Sequence, residues 1–405
     1  MTKCLISGAD TETFISFGKM PIANGFLARE QFDSEYFFEL KVGFCPESRM
    51  VQLTELVERE KMFHENYAFF SSTSTRMAQH FKGFSHCVRQ RIADAPDPFV
   101  VEIGSNDGIN LQHFAEAGIR HLGIEPSGNV AAVARGKGIN TIAKFFDEKL
   151  AREIVAQHGQ ADAFMGANVM CHIPYLHSVV AGIRQLLKPK GVLIFEDPYL
   201  GDIIQKTSYD QIYDEHAFYF CIDSVGYLMQ KHGLEVIDVL PQNVHGGSMR
   251  YVIAHKGAHA VSGNVALQLR KEDALGLKKI ETYRAFKKSV ERSREGLMTL
   301  LRDLRKQGKR VAAYGATSKS TTVTNYCGIT PDLVEYISDT TPIKQGKFSP
   351  GAHIPVKAYQ EFASRHPDFA LLFAWNHGEE IMAKETEYRA RGGKFILYVP
   401  EVQVV

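Results

Sequence analysis

Between residues 98 and 200 the chain alternates short, continuous apolar runs with longer stretches in which apolar positions recur every three to four residues. The runs FVVEIG, HLGIE, INTIA, ADAFMGAN and GVLIFED read as five buried strands, and the stretches between them as helices with one apolar face. This alternation predicts a parallel sheet covered by helices on both sides. HGLEVIDVLPQ and MRYVIAHK then read as two late strands, an antiparallel edge pair.

The pattern returns after residue 308. KRVAAYG is a strand entering a glycine loop, the stretch through NYCG a helix, and LVEYISD, PDFALLFAW and KFILYV are further strands. Between the two regions, residues 264–307 hold almost no Gly or Pro and many Lys, Arg, Glu and Leu, as expected of long connecting helices with a solvated face. The first 86 residues read differently. GADTETF, GKMPIANG and FCPESRM mark turns, so this part is predicted to be a small, loop-rich module. The expected organisation is α/β. An N-terminal module spans 1–86, a doubly wound central domain 87–262, and a helical connector with a second, Rossmann-like α/β domain 263–405.

Composition narrows the function. A chain of 405 residues with 44% hydrophobic and 23% charged residues is ordinary globular material. Its 47 basic and 46 acidic residues leave a net charge of +1, no field to attract a polyanion, so nucleic acid is not expected as a partner. No stretch approaches the ~18 apolar residues of a spanning helix, and the opening MTKCLISGADTETF lacks an apolar signal core. The expectation is a cytoplasmic protein that does not engage a membrane, its oligomeric state open. Six scattered cysteines point to reduced thiols rather than a disulfide framework.

The first candidate chemistry is VVEIGSNDGINLQHF: a strand ending in Glu102, a turn through Gly104, Asn106, Asp107 and Gly108, then a helix. Glycine lets the backbone approach a ligand at the carboxyl edge of a parallel sheet. About twenty residues on, Glu125 in GIEPS stands where a carboxylate accepts from ribose hydroxyls. Together these predict an adenosine-type cofactor. YDEHAFYF sets Tyr213 and Glu215 beside His216 in a segment read as too polar for a core, with the imidazole as general base and the carboxylate orienting it. His172, after the fourth strand, should share that edge, and Tyr67 in ENYAFFSSTS could close the site. HGGSMR offers His245, Ser248 and Arg250 for a polar or anionic substrate, or else a tight turn.

These segments, in their order along nearly the whole chain, resemble the S-adenosylmethionine-dependent C-methyltransferases that act on C-3 of nucleotide-linked 4-keto-deoxysugars. The residues carrying the resemblance are SFGKMPIANGFL, ENYAFFSS, the E-x-G-x-x-x-G loop, YDEH, VHGGSMR, YGATSKSTTVTNYCGI and KQGKFSPGAHIPV. The resemblance implies S-adenosylmethionine as cofactor, held by the Gly104–Gly108 loop, Glu125 and Asn168. It implies His216 as base, supported by Tyr213 and Glu215, with Tyr67 and His172 lining the sugar pocket. It sets Lys319 and Lys344 beside a nucleotide-sugar cleft. The family's N-terminal zinc site uses two CxxC pairs, which here read Cys4-Leu-Ile-Ser7 and Cys45-Pro-Glu-Ser48. Hydroxyls are poor zinc ligands, so zinc binding is doubtful and no metal is expected. Three other readings stand beside this one: O- or N-methyl transfer, an NAD-dependent oxidoreductase using VAAYGATSKS, and a non-catalytic cofactor-binding protein.

Overall fold

The computed structural model describes residues 2–62 and 75–405. The N-terminal module is a sheet rather than a set of loops. β1 (Glu12–Pro21), β2 (Phe37–Phe44) and β3 (Val51–Leu53) form an antiparallel meander. The sequence hides β1 because register shifts at Thr13/Ile15 and Ser16/Lys19 break the two-residue alternation.

The central sheet contains β4 (Phe99–Ile103), β5 (Arg120–Ile124), β6 (Thr141–Ile142), β7 (Ala161–Ala167) and β8 (Leu187–Pro198), all parallel. All five residues of β4 are buried, which is why it reads as a continuous apolar run. β9 (Phe218–Tyr219) leaves this domain to pair with β3 and complete the N-terminal sheet. β10 (Leu234–Gln242) and β11 (Ser248–His255) then close the central sheet as the expected antiparallel edge, in the order β10-β11-β8-β7-β4-β5-β6.

The 27-residue helix Ile280–Lys306 buries Tyr283, Phe286, Val290, Leu297, Leu301 and Leu304 along one face. Tyr283 packs its ring on Phe14 and Phe44, so this connector braces the N-terminal sheet. The third sheet runs β14 (Val356–Ala358), β13 (Ile337–Asp339), β12 (Val311–Tyr314), β15 (Phe369–Leu372), β16 (Lys394–Leu397) and β17 (Gln403–Val404), parallel except for the last pair. The fold is thus α/β, with two doubly wound sheets.

The helix Ser318–Cys327 is largely buried although half of its residues are Ser or Thr. Its hydroxyls find partners in the other two units: Thr321 donates to the Ala23 carbonyl at 2.8 Å and Thr322 to the Ile212 carbonyl at 2.7 Å. Satisfied hydroxyls remove the cost of burying them and fix how the second sheet meets the first. All six cysteines are free, and no described helix is long and apolar enough to cross a membrane.

Candidate active site

One cavity of about 670 Å³ lies between the carboxyl edges of the two parallel sheets. In each sheet strand order reverses there, between β4 and β7 and between β12 and β15, the positions where open α/β sheets bind ligands. On the central-sheet side the cavity meets Gly104, Asn106, Glu125 and Asn168. Gly104 has φ of +60°, and a Cβ there would fall 2.8 Å from Val169 Cγ2, so only glycine keeps this wall open. Glu125 accepts from the amides of Asn106 at 3.1 Å and Ser127 at 2.8 Å. Burial pushes its carboxyl up, and these amides oppose the rise.

Three residues read as cofactor contacts lie elsewhere. Glu102 is buried beneath the loop, accepting from Asn110 Nδ2 at 2.9 Å. Asp107 pairs with Lys137 at 3.3 Å, and Gly108 packs toward Ile139. None of the three lines the cavity. Motif adjacency concealed that the turn presents its residues to opposite sides.

At the centre stands His216, and its segment is core, against expectation: Asp214, Glu215 and His216 are each less than 5% exposed. His216 Nδ1 lies 2.7 Å from the Gln211 carbonyl, which can only accept, so the proton sits on Nδ1 and Nε2 carries the lone pair. Tyr213 donates its hydroxyl to Nε2 at 2.8 Å. The carboxylate expected to orient this ring, Glu215, instead accepts from Asn24 Nδ2 at 2.6 Å. Burial drives the His216 imidazole well below its ordinary value, with His172 adding to the shift. The His172 ring stacks 5.2 Å away, and burial lowers it to about 4. Both rings are therefore neutral at physiological pH. Tyr67 lies outside the described residues.

His245 also lines the cavity, its ring 3.1 Å from Asn168 Nδ2 and pushed down to about 3 by burial. Its motif partners do not. Ser248 donates to the Val244 carbonyl, and Arg250 pairs with Glu196 at 2.8 Å while lying over the Phe84 ring. Both are buried in β11 and do not line the cavity, and Glu196 supplies the counter-charge of Arg250.

The C-terminal domain contributes Lys319 and Lys344 to the cavity wall, and burial lowers both ammonium groups. It also contributes an acid the sequence reading passed over. Asp339 ends β13 and accepts from the amides of Ala316 and Thr341, each at 2.7 Å. Glu125 makes the same two bonds in the first sheet, to the preceding glycine loop and to the amide two residues on. The signal was present in LVEYISD, a carboxylate closing the strand after a glycine loop. Gln211 had no signal for its bond to His216, which uses the backbone carbonyl.

In the N-terminal module Cys4 Sγ lies 3.2 Å from Ser48 Oγ, and Cys45 Sγ 3.4 Å from Ser7 Oγ. The four positions of the two pairs thus converge, but two thiols and two hydroxyls bonded crosswise are not the donor set of structural zinc.

Comparison with known proteins gives matches along the chain. Residues 243–400 match the family model of the C-methyltransferase C-terminal domain, residues 78–239 that of a methyltransferase domain, and residues 4–63 one described as "Putative zinc binding domain". C-methyltransferase NovU of Streptomyces niveus is 36% identical over 406 residues, covering 100% of this chain and 96% of that protein. Among solved structures, magnesium protoporphyrin IX methyltransferase of Synechocystis PCC 6803 with bound SAM matches at 14% identity. That match covers 49% of this chain and 89% of that one, with a TM-score of 0.35. A SAM dependent methyltransferase of Archaeoglobus fulgidus matches at 17% identity over 40% of this chain and 72% of that one, with a TM-score of 0.33.

Proposed function

We propose, on the premise that this chain belongs to the C-methyltransferase family, that it methylates a ring carbon next to the ketone of a nucleotide-linked 4-keto-6-deoxysugar. The carbon is C-3, and S-adenosylmethionine is the donor. The observation that carries this reading is one cavity that joins two nucleotide-type sheet edges with a neutral imidazole between them. A methyl donor needs one such edge, and a substrate with a nucleotide handle needs the other.

When bound, S-adenosylmethionine supplies an electrophilic methyl group. Gly104, Asn106, Glu125 and Asn168 would hold it, the carboxylate of Glu125 suiting a ribose and the open wall at Gly104 admitting the cofactor against the backbone. On the other edge, Asp339 suits the second ribose, and Lys319 and Lys344 suit a diphosphate.

His216 Nε2 removes the hydrogen made acidic by the ketone. Because burial keeps the ring neutral, Nε2 carries a lone pair without prior deprotonation, held in the resting site by the Tyr213 hydroxyl. A proton arriving at Nε2 ends the bond from Tyr213, whose hydroxyl is then released to donate to the enolate oxygen as charge develops there. His172 flanks the same oxygen. Lys319 and Lys344 hold the handle, and its binding energy serves to align the sugar carbon.

The test is solvent exchange. Wild-type protein with S-adenosylhomocysteine and a dTDP-linked 4-keto-6-deoxysugar in heavy water should incorporate deuterium beside the ketone, and His216→Asn should slow this by about 10² or more. The ketone acidifies C-5 equally, so the position of the label decides between the two carbons. Methyl transfer without any exchange would overturn the enolate and favour oxygen or nitrogen as acceptor.

A further inference from the structure

The 3-10 turn Tyr209–Gln211 carries two consecutive residues with different partners, Asp210 bonding to the C-terminal domain and Gln211 to His216. Asp210 is fully buried, and its Oδ2 accepts from the Trp375 indole at 2.6 Å and the Tyr398 hydroxyl at 2.8 Å, both donors belonging to the C-terminal domain. Its other oxygen has no hydrogen-bond partner among the described residues. Burial pushes this carboxyl up, and the charge of Lys319 is the first influence that opposes the rise. Lys319 in turn lies 5.2 Å from the Trp375 ring centre and 3.4 Å from Asn376 Oδ1.

One peptide bond away, the Gln211 carbonyl fixes the tautomer and the direction of the His216 ring. The Gln211 side chain donates to the His245 carbonyl. The turn holding His245 is closed by the same indole: Gly246 has φ of +88°, and a Cβ there would fall 2.5 Å from Trp375 Cη2. That contact gives the glycine after His245 a reason the sequence did not show.

A buried carboxylate costs stability unless its surroundings repay it, and here the donors come from another domain and leave one oxygen unmet. The cost is explained if the group has a task. Resting on the functional reading above, we infer that Asp210 is a positioning residue: it ties the nucleotide end of the cavity to the base, so that occupancy at Lys319 sets the His216 ring through the 210–211 peptide. An anionic handle drawn to Lys319 shifts the ammonium that lies over the Trp375 ring, whose indole donates to Asp210. The carboxylate then leans on Trp375 and Tyr398, and the turn that carries the Gln211 carbonyl moves with it.

The experiment uses the full chain and compares wild type, Asp210→Asn, Trp375→Phe, His216→Asn and the Asp210→Asn/His216→Asn pair. S-adenosylmethionine affinity is measured by calorimetry and deuterium exchange on the dTDP-linked keto sugar by mass spectrometry. Asp210→Asn should lower the maximal exchange rate on the order of 10- to 100-fold, the scale of a misplaced catalytic group, with its KM little changed. In the His216→Asn background it should add almost nothing, since residues acting as one unit are non-additive. Trp375→Phe removes the donor to Asp210 while keeping an aromatic side chain, so it gives the same test if Asp210→Asn folds poorly, and its loss should also fall in the rate. A rise in KM at unchanged rate, or losses that multiply in the double variant, would overturn the coupling while leaving the base in place. Absence of exchange in wild type would instead overturn the functional reading and the coupling with it.

Discussion

Replacing Glu102 by Gln tests whether the acid of the glycine motif faces the ligand or the core. Its carboxylate is 3% exposed, with one oxygen on Asn110 and the other without a partner among the described residues. Burial, reinforced by the charges of Glu125 and Asp107 against the Asn110 bond, pushes this carboxyl from 4.5 up to about 8. Between those values the folded chain binds a proton that the unfolded chain has released. Stability therefore falls as pH rises through this window, and the cost is complete above it. Roughly three and a half pH units at 1.36 kcal/mol each set an upper bound of about 5 kcal/mol. Gln carries no such cost at any pH. The variant should match wild type near pH 5 and become the more stable protein toward pH 8.5, read as the difference in thermal midpoints at matched pH. Cofactor affinity should change by less than about threefold, since the side chain does not line the cavity. A stability difference that ignores pH, or a tenfold loss of S-adenosylmethionine binding with no alkaline gain, would refute the placement.

Three further outcomes follow from the geometry. Because burial lowers the His216 imidazole well below its ordinary value, kcat/KM should hold nearly level as pH drops from about 7.5 to 5.5, where a base titrating at its usual ~6.5 would lose about tenfold. An acid limb near 6.5 would remove His216 from the role. Gly104→Ala puts a Cβ 2.8 Å from Val169 Cγ2 at φ of +60°, so S-adenosylmethionine affinity measured by calorimetry should fall about tenfold or more, with about 1–3 kcal/mol of strain. Unchanged affinity would show that the wall yields. The Ser7→Cys/Ser48→Cys variant restores four thiols at converging positions. It should purify with one equivalent of zinc by elemental analysis where wild type does not, and metal in wild type would show that ligands beyond these four positions complete a site.

The two parallel sheets were legible because strands buried on both faces write themselves as unbroken apolar runs. β1 was not, since its register shifts scramble the alternation that marks a half-exposed strand. At the site, sequence reading found residues of the loops and turns that follow strands: Gly104, Glu125, Asn168, His172 and Lys319 all reach the cavity. It failed where neighbours in a motif diverge in space. Arg250 and Ser248 follow His245 by a few residues yet lie inside β11, and Glu102 precedes Gly104 by two but points to Asn110. It could not see Gln211, whose contribution is a carbonyl that every residue possesses, or Asp210, whose partners lie more than 150 residues away. Asp339 carries a readable signal, a carboxylate that closes the strand after the second glycine loop.

The most direct test of the central claim is the bond the methyl group forms. Wild-type protein incubated with S-adenosylmethionine carrying a ¹³C-methyl group and a dTDP-linked 4-keto-6-deoxysugar yields a product whose labelled methyl can be traced by two-dimensional NMR. The account predicts a methyl carbon joined to the ring carbon beside the ketone, with the hydrogen originally there gone. A labelled methyl joined to oxygen or nitrogen, or label retained wholly in S-adenosylmethionine with every sugar offered, would contradict it.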